Sequence, residues 1–303
     1  MGLADREVKN GQKSPFSILS TSDVFGQSKA AFQCSYDDFT FIDSSMVMLT
    51  VLDRPVTLQI WRFGDDTASR VGTFEMPATT LDTAYFAMHF DGGSTASVGR
   101  PKSLDGTPFA LEPTPRTIAL SFSLIETDTE LEELEAATYT MMMQPSLMID
   151  AVKKAQNPLQ RFSGHGLEWK KWGPQCTRWI AQDGDNLNWD PSSAGGRLVT
   201  ITPGWPAEAP PEGLDITTLP QVIQLYDFRP EIIRRYMNEE MGPNEELVVG
   251  ETVVHKSGIF LEDVISSLPY HVVTSGELPF RVSGAMLDEG HIIGTQVISN
   301  PSL

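Results

Sequence analysis

The chain has 303 residues, which is enough for one large all-β domain or for two ordinary domains. With 40% apolar and 20% charged residues it has a globular composition, so we expect a packed core over most of its length. Asp and Glu outnumber Lys and Arg by 40 to 22, and the formal net charge is -18. This charge repels phosphate backbones and anionic lipids, so nucleic acids and membrane surfaces are not predicted as partners.

The two cysteines, Cys34 and Cys176, are far apart in the sequence and form no C-x-x-C motif. A secreted disulfide framework would contain more cysteines, so this number favours a reducing compartment. Residues 1–16 contain no apolar core of a signal peptide, and no segment approaches the ~18 apolar residues of a membrane helix. We therefore predict a cytoplasmic or nuclear protein.

The clearest structural pattern lies in residues 37–63, DDFTFIDSSMVMLTVLDRPVTLQIWRF. Three short runs rich in β-branched and aromatic residues are separated by turns at Asp43-Ser44-Ser45 and Asp53-Arg54-Pro55. Such runs predict an antiparallel meander, and a strand that ends in Ile-Trp is also typical of a propeller blade. Residues 1–33 are polar and irregular, which predicts a poorly ordered segment or a loose edge.

The remaining pattern predicts on the order of a dozen strands and two or three short helices. Further strands are predicted at residues 71–76, 84–90, 117–125, 137–143, 196–202, 221–228, 247–254, 270–274 and 291–297, and helices at residues 147–155, 230–237 and 262–268. We therefore predict a mostly β fold, with residues 34–303 forming a propeller-like domain of short antiparallel meanders. The sequence leaves open whether the propeller is complete, and a β-sandwich is the alternative.

A search for catalytic and ligand-binding motifs finds none of the common ones. The sequence contains no G-x-S-x-G elbow and no glycine-rich phosphate loop. Its five histidines have no metal-ligand spacing (His89, His165, His255, His271 and His291). Asp183-Gly184-Asp185-Asn186 resembles the start of a calcium loop but lacks the glutamate at the twelfth position. The sequence therefore predicts no catalytic residue, no metal and no cofactor.

Tryptophans are concentrated in one part of the chain, at Trp169, Trp172, Trp179, Trp189 and Trp205. Tryptophans concentrate at binding hot spots, but they also fill cores because each buries a large apolar area. The core interpretation is favoured for Trp179, which lies in a strand-like run. The candidate binding residues are Trp169, Trp172, Arg178 and Trp189, and Arg178 is also a candidate for a buried stacking and pairing residue.

Five segments resemble a large group of uncharacterised basidiomycete proteins, many of which carry an N-terminal F-box. The segment LEWKKWGPQCTRWIAQ, residues 167–182, is similar to a recurring (I/V)PW-x-x-WGP-x-x-TRWF stretch, which it matches at Trp169, Trp172, Gly173, Pro174, Thr177, Arg178 and Trp179. Asp227-Phe228-Arg229-Pro230 resembles a later D-F-N-P motif, with Arg229 in place of Asn. The meander of residues 37–63 and the segments EDVISSLPYHVV and AMLDEGHIIG are also similar.

The resemblance covers roughly residues 35–297 and implies a WD-like propeller that serves as a recognition or scaffold region. No F-box helix pattern is found at the N-terminus, so we do not expect a ubiquitin-ligase adaptor role. The favoured hypothesis is a non-catalytic interaction module with a protein partner of unknown identity. The alternatives are an enzyme or accessory protein of a fungal metabolic pathway, and a carbohydrate-binding module that uses Trp169, Trp172 and Trp189.

Overall fold

The structure of the chain, a computed structural model, describes residues 16–20, 30–34, 36–64, 67–80, 83–90, 117–126, 136–155, 166–182, 192–203, 220–255, 259–282, 284–287 and 291–295. These residues form a mostly β protein with several antiparallel sheets and three short helices, which confirms the predicted class. None of the sheets in this part of the chain closes into a barrel.

The strands, numbered along the chain, are β1 Phe16–Ser20, β2 Ala30–Cys34, β3 Asp38–Phe41, β4 Met46–Val51, β5 Thr57–Phe63, β6 Ala68–Glu75, β7 Thr83–Phe90, β8 Ile118–Glu126, β9 Ala136–Met143, β10 Thr177–Gln182, β11 Ser192–Ala194, β12 Arg197–Pro203, β13 Gln221–Asp227, β14 Glu245–Val248, β15 Thr252–Val254, β16 Val264–Ser266, β17 Tyr270–Thr274, β18 Gly284–Leu287 and β19 Ile292–Thr295. The helices are α1 Pro145–Ala155, α2 Trp169–Cys176 and α3 Pro230–Tyr236.

Three larger sheets follow one another along the chain. The first sheet has the order β3-β4-β5-β6, the second β10-β9-β8-β7 and the third β11-β12-β13-β17-β14. Three separate pairs, β1-β2, β15-β16 and β18-β19, complete the described strands. Strands β3, β4 and β5 of the first sheet form the meander that the sequence predicts at residues 37–63, and β6 corresponds to the strand predicted at residues 71–76.

The sheets stack face to face in chain order, because their strands alternate apolar side chains between two faces. Met48 and Ile60 of the first sheet share the largest core with Leu120 of the second sheet. On its opposite face, the second sheet packs through Met142 against Leu198 of the third sheet. The opposite face of the third sheet then packs against β18, through the residues Val199, Ile201, Ala285 and Leu287.

The three consecutive methionines of β9 illustrate this two-sided burial. Met141 and Met143 belong to the core with the first sheet, whereas Met142 points to the third sheet. All three side chains are at most 1% exposed. The sequence predicts a buried strand here, and a methionine side chain adapts well to such gaps.

Several elements differ from the predictions. Residues 262–268 form no helix, because Val264 enters the largest core and β16 pairs with β15. The strand predicted at residues 247–254 is divided between β14 and β15, which lie in different sheets. The tryptophan-rich segment contains the unpredicted helix α2. In the range 1–33, for which the sequence predicts a poorly ordered segment or a loose edge, the structure describes the β1-β2 hairpin, which extends to Cys34. The rest of that range is outside the described residues.

Candidate functional site

Trp169 and Trp172, two of the candidate binding residues, lie on α2 and point into the largest core. Their rings are 4.9 Å apart at 76°, and Trp169 also contacts the ring of Trp179 at 5.6 Å. The indole of Trp172 donates a hydrogen bond to the carbonyl oxygen of Glu75, 3.1 Å away. Trp169 is 9% and Trp172 1% exposed, so neither ring offers a face to a sugar or to a partner protein. The structure favours the core interpretation for both.

Arg178, the third candidate, lies in β10 and is 1% exposed. Its Nε donates to the carbonyl oxygen of Leu268 at 2.8 Å, and Nη2 donates to that of Gly250 at 2.9 Å. Nη1 donates to the hydroxyl of Thr252. The guanidinium also lies 5.1 Å from the centre of the Tyr270 ring. Burial lowers the pKa of Arg178 from its ordinary value, yet a guanidinium stays charged at neutral pH.

Through these hydrogen bonds, Arg178 connects the second sheet to the start of β15 and to the segment before β17. The fourth candidate, Trp189, lies outside the described residues, as do Trp205 and the calcium-like segment 183–186. The structure thus places three of the four candidate binding residues, Trp169, Trp172 and Arg178, in one region. Their role there is packing and hydrogen bonding inside the protein.

The four described histidines do not converge on one place. His89, His255 and His291 are exposed, and His165 lies outside the described residues. His255 lies 3.4 Å from a carboxylate oxygen of Asp263. Among the described residues, no group of three or more His, Cys, Asp or Glu side chains could hold a metal ion. Only His271 is buried among the four described histidines, with 3% exposure.

A row of polar side chains that sequence reasoning missed crosses one end of the third sheet. Arg197 of β12, Asp227 of β13 and His271 of β17 are directly opposite one another in the ladders, so they share one face. Asp227 is 6% exposed. Only the D-F-R-P segment signals this row in the sequence.

Arg229 holds the Asp227 carboxylate. The backbone N–H of Arg229 donates to Oδ1 at 3.0 Å, and its guanidinium donates to both oxygens at 2.6 to 3.1 Å. Phe228 is 1% exposed in the core between the second and third sheets, and Pro230 starts α3. The segment thus closes β13 and starts α3. The hydrogen bonds of this carboxylate thus come from Arg229, while Nε2 of His271 has no partner within the described residues.

Helix α3 covers the His271 end of the row. The ring of Tyr236 stacks on the ring of His271, with centroids 3.8 Å apart and planes at 10°. The Tyr236 hydroxyl donates to the Glu245 carboxylate at 3.4 Å. The Nε2 atom of His271 is buried and has no hydrogen-bond partner in the described part of the chain. Burial lowers the pKa of His271, and Glu245 and Asp227 partly oppose this effect.

A cleft of about 370 Å³ lies between α1 and α2. Leu147 and Ala151 form part of its wall, Lys154 and Lys171 lie at the sides, and Cys176 also lines it. The Cys176 side chain is 2% exposed, and burial raises the pKa of its thiol to about 12. Such a thiol is a poor nucleophile at neutral pH.

Among the described layers, the β18-β19 hairpin packs on the far side of the third sheet and has two different faces. Ala285 and Leu287 are 9% exposed and face the third sheet. Met286 and Ile293 are directly opposite each other on the other face, where they are 59% and 51% exposed. We call Met286 and Ile293 the terminal face.

Comparisons with protein-family models, with curated proteins and with solved structures found no match for this chain. Within the described residues, no helix is long and apolar enough to cross a membrane. The functional argument therefore depends on the residues and contacts described above.

Proposed function

We propose that this chain is a protein-interaction module of the cytoplasm or nucleus, built on a propeller-like stack of sheets. The stacking order supports the propeller over a two-sheet sandwich. Blades follow one another in chain order and each middle blade is covered on both faces, as the second and third sheets are. The free, buried Cys176 thiol is compatible with a reducing compartment.

The terminal face carries the proposal. Each larger sheet has buried apolar clusters on both faces, whereas the outer face of the last hairpin presents Met286 and Ile293 to solvent. Side chains on a continued stack would be covered by the next layer. Exposed neighbouring apolar side chains on an otherwise packed protein are typical of an interaction surface. A protein partner would cover Met286 and Ile293 here.

The two alternatives have less support. Trp169 and Trp172 are buried, so a sugar-binding platform would lose two of its three predicted rings. For an enzyme, the histidines and carboxylates should converge, but His89, His255 and His291 are exposed and lie in different elements or links. The interaction hypothesis requires neither exposed tryptophan rings nor converging histidines and carboxylates.

The test is affinity capture from a fungal cell extract with three versions of the chain. The wild type is compared with the double variant Met286→Ser and Ile293→Ser, which removes the terminal face. A matched control, Met237→Ser and Met241→Ser, removes side chains that are 57% and 44% exposed elsewhere on the surface. All three versions should melt at similar temperatures, because the substituted side chains are exposed.

We expect a specific protein to be enriched by the wild type and by the control and lost from the terminal-face variant. Capture that is unchanged in the terminal-face variant would remove Met286 and Ile293 from the binding surface. If the wild type enriches no protein above an unrelated acidic bait, the interaction hypothesis itself fails.

A further inference from the structure

His271 occupies an unusual position between α3 and the third sheet. One side of its ring is covered by Tyr236 at a centroid distance of 3.8 Å, and the side chain as a whole is 3% exposed. Its Nε2 atom is buried without a hydrogen-bond partner in the described residues. A neutral ring tolerates this position at a modest cost, but a protonated ring would add a second donor and a charge without an acceptor.

The charged groups around His271 come from every element that packs against it. Asp227 faces it from β13, and Arg197 lies one strand further on in β12. Glu245 of β14 is opposite Val273, two positions along the ladder from His271. From the α3 side come Arg229, which precedes the helix, and Arg235 and Tyr236 of its last turn.

The two carboxylates are already engaged. Asp227 accepts hydrogen bonds from the guanidinium and the backbone N–H of Arg229. Glu245 accepts from the backbone N–H of Gly242 at 2.9 Å and from the Tyr236 hydroxyl at 3.4 Å. Within the described residues His271 Nε2 has no hydrogen-bond partner, so neither carboxylate accepts from this atom.

Tyr236 cannot easily compensate for the charge. The guanidinium of Arg235 already lies 5.5 Å from the centre of the Tyr236 ring. A protonated imidazole stacked on the same ring would be close to this cation, so the attraction of a cation to the aromatic face would be offset by repulsion between like charges. Parting of the two rings relieves this conflict and lets water reach His271.

We propose that His271 is a pH-sensitive latch, which holds α3 on the third sheet while its ring is neutral and releases α3 when its ring is protonated. Release would also move the start of the loop after α3, where Met237 is 57% exposed. The surface that α3 and this loop present would thus change over the pH range in which histidine titrates. This inference is independent of the terminal face.

The direction of the effect follows from burial, which lowers the pKa of His271 in the folded protein below its value in a flexible chain. The attachment of α3 is therefore complete above about pH 6.5 and weakens as the pH falls below that value. Hydrogen exchange of the α3 amides, corrected for the intrinsic pH dependence of exchange, measures this attachment directly.

The experiment compares the wild type with His271→Phe at about pH 7.5 and about pH 5.5, on either side of the ordinary histidine pKa. Phenylalanine keeps a flat ring against Tyr236 and does not titrate. The control is His255→Gln, which removes an exposed histidine that lies outside the row. On acidification we expect the protection of α3 to fall about tenfold in the wild type and in the control, and to stay constant in His271→Phe. Strands β8 and β9 serve as internal references.

A second measurement needs only the wild type and covers the case in which His271→Phe does not fold. The ring protons of His271 are titrated by NMR, and the protection of α3 is followed over the same pH range. We expect the ring to titrate below about pH 6.5, and the protection of α3 to fall between about pH 6.5 and the midpoint of the ring. The proposal is overturned by α3 protection that is independent of pH, by an equal loss in His271→Phe, or by a ring midpoint at or above about pH 6.5.

Discussion

The Nε atom of Arg178 donates a hydrogen bond to the carbonyl oxygen of Leu268, which is 2.8 Å away and 90 residues further along the chain. The bond connects β10 of the second sheet to the link before β17 of the third sheet. With the bonds to Gly250 and Thr252, it satisfies polar backbone and side-chain groups where three separate segments meet. A charged residue in this core is thus used to fix the position of one sheet against the next.

Arg178→Ala should lower stability and leave the terminal face unaltered. The substitution leaves the carbonyl oxygens of Leu268 and Gly250 without this donor and creates a cavity, so we expect a loss of about 3 kcal/mol or more. Urea unfolding measures the change. The matched control Arg281→Ala removes an exposed arginine and should change stability by less than about 0.5 kcal/mol. Unchanged melting together with lost partner binding would assign Arg178 to the binding surface instead.

Gly173→Ala should also destabilise the protein, although alanine usually favours a helix. A Cβ atom at Gly173 would lie 2.3 Å from Cδ2 of Trp169, which is far too close. The indole would have to move inside a packed core, so we expect a loss of about 1–3 kcal/mol. Gly276→Ala is the control, because nothing lies within 4 Å of a Cβ atom there. Equal stability of the two variants would show that the Trp169 ring is not packed against Gly173 as described.

The thiol of Cys176 should be inert in the folded protein. Its pKa of about 12 leaves a very small thiolate fraction, roughly one in ten thousand at pH 8, and the side chain is 2% exposed. We expect a Cys34→Ser variant to react with a thiol reagent only as fast as it unfolds, and to react completely in urea. Rapid labelling of the folded variant would mean that the cleft between α1 and α2 opens to Cys176.

Sequence patterns could predict the strands of the first and second sheets, because the signals for strands and the signals for turns agree there. Short apolar runs such as Met46–Val51 mark the strands. Asp43 marks a turn, because its side chain accepts hydrogen bonds from the backbone of Ser45 and Met46. A Gly-Gly pair favours a tight hairpin turn for a similar reason, and Gly195 and Gly196 have positive φ angles, of 58° and 81°.

Other elements depend on contacts between residues distant in sequence, which local patterns do not contain. Helix α2 includes Gly173 and Pro174, which both disfavour helices, and it forms where Trp169 and Trp172 pack into the core. Residues 262–268 have a helical pattern, but Ser266 accepts a hydrogen bond from the backbone N–H of Trp179, 87 positions earlier.

The candidate site illustrates the same limit. Sequence composition pointed to Trp169, Trp172 and Arg178 as unusual residues, and the structure places all three at packing positions. The row of Arg197, Asp227 and His271 could not be predicted, because its members come from three strands whose register is set by the fold. Likewise, the exposure of Met286 becomes visible only when the last layer of the stack is known.

The central claim is that the sheets stack in chain order and end in an exposed apolar face, and methionine oxidation by hydrogen peroxide tests it most directly. Mass spectrometry can follow each methionine of the folded chain separately. We predict fast oxidation of Met286, Met237 and Met241 and strong protection of Met141, Met142 and Met143. Met142 is decisive, because it packs with Leu198 of the third sheet on the side of β9 that faces away from the largest core. Oxidation of Met142 at the rate of Met286, or protection of Met286 in the isolated chain, would contradict the account.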